Sequence, residues 1–197
     1  MYNTKTAVTN SQEFTSSYME AGIHDNVTLK EVNCNVSPTG KDFLEIVFED
    51  KNGKTATMTE WKNEKNMWIK TDEDLQRRDD LQFGRVMQIV HCFYDNIDGE
   101  FNTFKEMVMW VKNILDPVIA TKKQLRLKTN YDKNNYVRVS TYGIFVEPMD
   151  VTETQIKKFA RDNFERQVVP DDETQSDPFA STNVASTSVS GDDDLPF

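Results

Sequence analysis

Apolar and polar residues alternate along the first third of the chain, and the alternation changes phase once. In NVTLKEVNCNV the apolar positions are Val27 and Leu29, then Val32, Cys34 and Val36. A one-residue change of face within an extended segment marks a β-bulge, which bends a strand and favours closure of a sheet. Ser37-Pro-Thr-Gly40 reads as a turn. FLEIVFE then places Leu44, Ile46 and Phe48 on one face and Phe43, Glu45, Val47 and Glu49 on the other. Asp50-Lys-Asn-Gly53 predicts a hairpin turn. KTATMTEW continues with Ala56 and Met58 against Thr55, Thr57, Thr59 and Trp61.

From Thr71 the period becomes helical. Thr71-Asp-Glu-Asp74 is an N-terminal capping pattern, and Val86, Ile89, Val90 and Phe93 recur at helical spacing. Asp95 to Gly99 breaks that helix. Thr103-Phe-Lys-Glu106 is a capping box opening a stripe of Phe104, Met107, Val108, Val111 and Leu115, which Pro117 is expected to end. Alternation returns in QLRLKTNY, with Leu125 and Leu127 inward and Arg126 and Lys128 outward. After a turn at Asp132–Asn135, Val137 and Val139 point in, and Tyr136 and Arg138 point out. A short apolar piece, Ile144 to Val146, precedes Pro148. Thr152-Glu-Thr-Gln155 predicts a last helix carrying Ile156, Phe159 and Phe164.

Three strands, helices, then two strands, with one bulged strand and short hairpins, predict a mainly β protein. The expected fold is a five-stranded OB-fold barrel with an enlarged helical insertion between strands three and four, at about residues 66–120. This domain would span 21–166, behind a loosely ordered arm, 1–20, in which Phe14 and Tyr18 stand apart. Residues 167–190 are rich in Ser, Thr, Asp and Pro, with too little apolar surface to offset ordering entropy. They read as a disordered linker to an acidic tip at 191–197.

Charge sharpens this division. The chain of 197 residues carries a net charge of −10, yet no Lys or Arg follows Arg166. The first 166 residues hold 26 acids against 23 bases, so most of the acidity belongs to the tail. No apolar run approaches a membrane span, and MYNTKTAVTN lacks the pattern of a signal peptide. Cys34 and Cys92 lie far apart without metal spacing, which suits a reducing cytoplasm and two buried thiols.

Catalytic chemistry finds no support. His24 and His91 sit in no nucleophile, zinc or phosphate-loop arrangement, and structural roles are expected for both. Asp72, Glu73, Asp74, Asp79 and Asp80 suit a helix N-terminus facing water better than a metal. No metal, cofactor or enzymatic activity is expected. Between Lys122 and Phe145, by contrast, six bases (Lys122, Lys123, Arg126, Lys128, Lys133 and Arg138) are interrupted by one acid, Asp132. Phe43 and Trp61 fall on outward positions of the second and third strands. Bases that track phosphates beside aromatic faces that accept any base suit single-stranded nucleic acid, each stack contributing about 1–3 kcal/mol. Lys122, Lys123, Arg126, Lys128 and Arg138 are the candidate phosphate contacts; Phe43, Trp61, Tyr131 and Tyr136 are the candidate stacking platforms. A competing reading makes the basic hairpin merely a solvated face, with Phe43 and Trp61 packed under the helices. Trp68, Trp110 and Tyr142 are assigned to packing.

The chain ends GDDDLPF. Phe197 can fill an apolar pocket on a partner, its carboxylate can pair with a base beside that pocket, and Asp192, Asp193 and Asp194 can meet a basic rim. An exposed Leu195-Pro196-Phe197 is not explained by solubility alone. DDDLPF resembles the acidic tip of bacterial single-stranded DNA-binding proteins, which typically ends DDDIPF. That resemblance implies recruitment of replication, recombination and repair proteins through the tip, and a tip able to compete with DNA for the basic groove. The N-terminal strand motif of the bacterial proteins is absent, and the helical region is larger. GIHDNVTLKEV, KDFLEIVFEDKNG, TEW, QLRLKTNYDKNNY and YGIFVEP are similar to phage-encoded single-stranded DNA-binding proteins across about Gly22 to Pro148. Such an origin implies the host-cell cytoplasm.

Together these readings predict sequence-independent binding and protection of single-stranded DNA, without catalysis. Five phosphate contacts would give a log–log salt slope of about −3.5. Two alternatives stay open: a protein–protein adaptor that binds no nucleic acid, and an RNA-binding OB module. Oligomeric state is not fixed by the sequence.

Overall fold

The computed structural model describes residues 16–167. Strands β1 (Gly22–Val36), β2 (Asp42–Glu49) and β3 (Thr55–Trp61) form an antiparallel meander. The turns between them close as the sequence predicts, with Gly40 N–H donating to Ser37 O at 2.8 Å and Gly53 N–H to Asp50 O at 3.0 Å. β1 pairs with β4 (Leu125–Tyr131) through its first part and with β2 through the rest. Its register with β2 shifts between Leu29 and Glu31, leaving Lys30 as the extra residue where the apolar alternation changes phase. A second shift, against β4, falls between His24 and Val27, where Asn26 takes φ 59°. Asn tolerates that left-handed region better than most residues. Two kinks thus let one strand serve both sides of the sheet.

The strand order is β3-β2-β1-β4-β5, with β5 at Val137–Val139. β5 also lies against β3, so the five antiparallel strands make a nearly closed barrel. β6 (Val146–Pro148) shares an edge of β4 with β5: β5 takes residues 129–131 of β4 and β6 takes 125–127. The neighbour of β4 is therefore one strand interrupted at 140–145. Residues 17–19 run along the edge of β3, where Thr55 N–H donates to Ser17 O and Met19 N–H to Thr55 O, both at 2.9 Å. Met19 is buried and Tyr18 is exposed. The end of the N-terminal arm, around the Tyr18 that stands apart in the sequence, is thus tied to the barrel. The expected arm before residue 16, and the linker and tip beyond Gln167, lie outside the described residues.

Helices α1 (Asp72–His91) and α2 (Phe104–Ile119) lie between β3 and β4 in the chain. Thr71 and Thr103 cap them, each hydroxyl accepting from a backbone N–H three residues on, Asp74 at 3.1 Å and Glu106 at 3.2 Å. The Glu106 carboxylate turns back to the Asn102 N–H. Pro117 does not end α2, which continues to Ile119. Its missing N–H removes one bond in the last turn, and its fixed φ still suits a helix. Val86, Ile89 and Val90 of α1 join Val108, Val111 and Leu115 of α2 and the inward residues of the strands in one core. Arg85 clamps α1 to β3 by two bonds to the Glu60 carboxylate, at 2.6 and 2.7 Å.

The last helix predicted from Thr152 does not form; residues 152–167 carry no helix. Tertiary partners outweigh local periodicity here. The segment wraps the gap between β5 and β6, where the Lys128 ammonium donates to Tyr142 O and Lys157 O, both at 3.0 Å, and to the Asp162 carboxylate at 2.8 Å. Asp162 also accepts from the Ser140 hydroxyl and the Phe159 N–H, both at 2.8 Å. An α-helix would pull these groups away from the ammonium.

This cluster makes stability depend on pH. Burial pushes the Asp162 carboxyl up, but the Lys128 ammonium and the Phe159 and Ser140 hydrogen bonds outweigh it and hold the carboxyl below its ordinary value. Glu147 shows the same balance, with burial opposed by bonds from Thr154, Gln155 and Arg126. A carboxylate depressed in the folded state contributes stability above its unfolded value, near 4, and loses it as pH falls through the folded value. The melting temperature should therefore fall as pH is lowered below about 4. Circular dichroism melts check this, and a rising melting temperature on acidification would contradict it.

Candidate nucleic-acid interface

Outward residues of β1–β3 stack in cross-strand rows. Phe43 pairs with Trp61, Glu45 with Thr59, Val47 with Thr57, and Glu49 with Thr55. The Phe43 and Trp61 rings touch, with centroids 4.5 Å apart. Trp61 is exposed, while Phe43 also lines a shallow recess with Phe104 and Val108 of α2. Trp61 thus presents a ring to solvent, and Phe43 is partly packed toward α2. The rest of the face carries Glu31, Glu45 and Glu49 with threonines, and Lys30 is bound to Glu49 at 2.7 Å. Acids on the flat of the sheet repel a phosphate backbone.

Bases and aromatics meet instead in a cleft of about 260 Å³ between the arm, β3 and β5. Its walls include Tyr18, Tyr136, Arg138 and Arg166, with Glu45, Thr57 and Thr59 on the floor. Tyr136 is 64% exposed and Tyr18 61%. The Asp132–Asn135 turn sets the outer wall: the Asp132 carboxylate accepts from the Asn134 and Tyr136 N–H groups and pairs with Arg138 at 3.4 Å. Arg166 lies over the Tyr131 ring, 5.4 Å from its centroid, and pairs with Glu20 at 3.4 Å. Thr59 lies two residues from Trp61 on the same face of β3, about 7 Å along the strand. The cleft and the Phe43–Trp61 pair therefore lie on the same face of the sheet.

Several candidates stand elsewhere. Lys128 is fully buried, not outward, because the break between β5 and β6 admits its side chain to the interior. It is a structural cation and meets no phosphate in this conformation. Tyr131 is buried too, its hydroxyl donating to Glu20, so its ring offers no free stacking face. Arg126 is outward but engaged by Asp25 at 2.6 Å and Glu147 at 2.8 Å. Lys122 and Lys123 sit in the turn after α2, where Lys122 takes φ 49°. They precede the start of β4, whereas Tyr136 and Arg138 flank its end, about 20 Å away along the strand. The basic strip is thus split between two ends of β4.

Other exposed groups were not singled out by the sequence. Tyr18 and Arg166 come from opposite ends of the domain, and only the fold joins them. Lys157, Lys158 and Arg161 follow the interrupted strand; Lys158 lies over Phe164 and Arg161 over Tyr142. The run KKFAR in the sequence was the available signal, masked by its assignment to a helix. Trp110 packs with Phe83 and Phe101, as expected. Trp68, expected to pack, does not; its side chain stands in solvent.

The histidines make ordinary contacts: His24 meets Glu20 O and the Thr129 hydroxyl, and His91 meets Tyr94 O. Among the described residues no three His, Cys, Asp or Glu side chains converge as metal ligands. No helix there is long and apolar enough to cross a membrane. No known family model matches the chain, and no curated protein is significantly similar to it.

Proposed function

We propose that this chain is an OB-fold single-stranded DNA-binding protein. On this reading it coats exposed strands without sequence preference and recruits replication, recombination or repair proteins through Asp192–Phe197. The observation that carries the reading is the cleft at Tyr136 and Arg138. It places two exposed tyrosines and two arginines beside β3, with Trp61 two residues beyond Thr59 on the same face of that strand. The strand order β3-β2-β1-β4-β5, with β5 returning to β3, supports an OB barrel in which the two helices are the insertion between strands three and four. Stacking on tyrosine and tryptophan tolerates any base, and arginine meets phosphate and base edges alike.

The cations now differ from those read in the sequence. Lys128 is buried and Arg126 is held by two carboxylates at 2.6 and 2.8 Å; Arg138 and Arg166 each face one carboxylate at 3.4 Å, and Lys122 and Lys123 form no ion pair among the described residues. Four phosphates neutralised on a single strand give a log–log salt slope of about −2.8, and each further phosphate contact adds about −0.7. Titration of a fluorescent oligo-dT across salt measures it. A slope near zero would remove the electrostatic basis of the proposal.

A further inference from the structure

β3 ends at Trp61 and α1 begins at Asp72, and the intervening loop carries the most exposed aromatic residue among those described. Trp68 is 79% exposed and Met67 beside it 73%. The loop is nonetheless built. At its start Lys62 N–H donates to Asp42 O at 3.1 Å, and the Asn63 amide reaches Asp79 of α1 at 2.9 Å. At its crest Asn66 and Ile69 exchange two backbone bonds, and the Asn66 side-chain oxygen accepts from the Trp68 N–H at 2.8 Å and the Ile69 N–H at 3.1 Å. Ile69 is buried and anchors the far side. The indole is therefore held in water by a formed turn, forgoing the roughly 150–250 Å² that an aromatic side chain can bury.

The surroundings indicate what covers it. A protein-docking patch needs contiguous apolar area, and within residues 62–71 Met67 and Trp68 are the exposed large apolar residues. Asn66, Lys65 and Lys70 are exposed and polar, with Lys62 on the approach from Trp61; Glu64, exposed in the same loop, pairs with Lys41 at 3.6 Å, and Asp72, Glu73 and Asp74 open α1 beyond it. Lys65 pairs with Asp72 at 2.6 Å, whereas Lys62 and Lys70 form no ion pair among the described residues. An open π-face between unpaired cations, on the loop that leaves Trp61, matches a polynucleotide strand, which offers bases and phosphates in alternation.

We infer that the β3–α1 loop is a second contact for single-stranded nucleic acid, outside the barrel. In it Trp68 stacks on a base, and Lys62 and Lys70 meet neighbouring phosphates. The inference rests on the single-strand-binding reading and extends the candidate surface past Trp61. Chemistry of this kind does not distinguish ribose from deoxyribose.

The test uses the full chain and its Trp68→Ala and Trp68→Phe variants, titrated with oligo-dT and oligo-rU of about 5 and about 20 nucleotides, bracketing the span of one OB barrel. The expected result is a loss of roughly 5- to 150-fold for Trp68→Ala on the long strands and little change on the short ones, with Trp68→Phe recovering most of the loss. An unchanged melting temperature shows that the effect is not structural. Wild-type binding with no loss in Trp68→Ala on the long strands overturns the inference alone and leaves the cleft standing. Equal losses on short and long strands overturn the claim of a separate contact. Failure of the wild type to bind any strand, with the last six residues present or removed, sinks the functional reading and this inference with it.

Discussion

Replacing Lys128 by methionine should destabilise the domain by about 3–5 kcal/mol, although the sequence presents this residue as a surface contact. The ammonium and the Asp162 carboxylate are both removed from solvent and lie 2.8 Å apart. Methionine matches the length and apolar character of the lysine stem but donates nothing. Asp162 would keep the Ser140 and Phe159 bonds and lose its counter-charge; Tyr142 O and Lys157 O would lose their donor. For a chain of this size the change corresponds to a fall in melting temperature of roughly 6–20 °C. Asp162→Asn should destabilise similarly, by leaving the ammonium buried without a carboxylate. The double variant should cost less than the sum of the singles, because the second change removes a charge already uncompensated. Thermal melts of the three variants check this, and a wild-type melting temperature for Lys128→Met would contradict it. The result also bears on function: lost DNA binding in a Lys128 variant would report unfolding, not a missing phosphate contact.

Tyr136→Ala should weaken oligo-dT binding by about 1–3 kcal/mol, or roughly 5- to 150-fold, without a matching loss of stability. Tyr136 projects from the outer wall of the cleft, and its ring is not part of the core. Exposed substitutions of this kind usually change stability by less than about 0.5 kcal/mol. Arg138→Ala should weaken all sequences alike and reduce the salt slope by about 0.7, the contribution of one phosphate on a single strand. Asp132 stays bonded to the Asn134 and Tyr136 N–H groups in that variant, so the turn should keep its shape. Affinity unchanged in both variants would reject the cleft as the binding site.

The barrel was largely legible because its signals are local. The phase change at Leu29–Val32, the Asp50–Gly53 turn and the Thr71 and Thr103 caps each depend on neighbours in sequence. The segment from Thr152 was misread because its structure is set by Lys128, more than twenty residues away, whose ammonium competes successfully with helix periodicity. Lys128 itself obeys strict alternation on paper. The interruption of the partner strand at 140–145 opens the interior to a residue that alternation directs outward. Tyr131 fails for a related reason: Glu20 and Arg166, from opposite ends of the domain, close over it. The residues of the candidate cleft are only half legible. Trp61, Tyr136 and Arg138 are exposed as the pattern requires. Tyr18 and Arg166 reach them only through the arm lying on β3 and the return of the chain past β5. Trp68 was assigned to packing because an indole in a mixed segment is usually buried, and nothing local signals that Asn66 holds it out.

The most direct measurement compares the affinity of the full chain for a fluorescent oligo-dT with that for a duplex of the same length at one moderate salt concentration, repeated with the last six residues removed. Base stacking requires unpaired bases, so we expect tight binding to the single strand, little to the duplex, and equal or tighter single-strand binding once Asp192–Phe197 is removed. Equal affinity for both forms would mean a purely electrostatic surface, and no binding by either chain would contradict the account and favour an adaptor for protein partners.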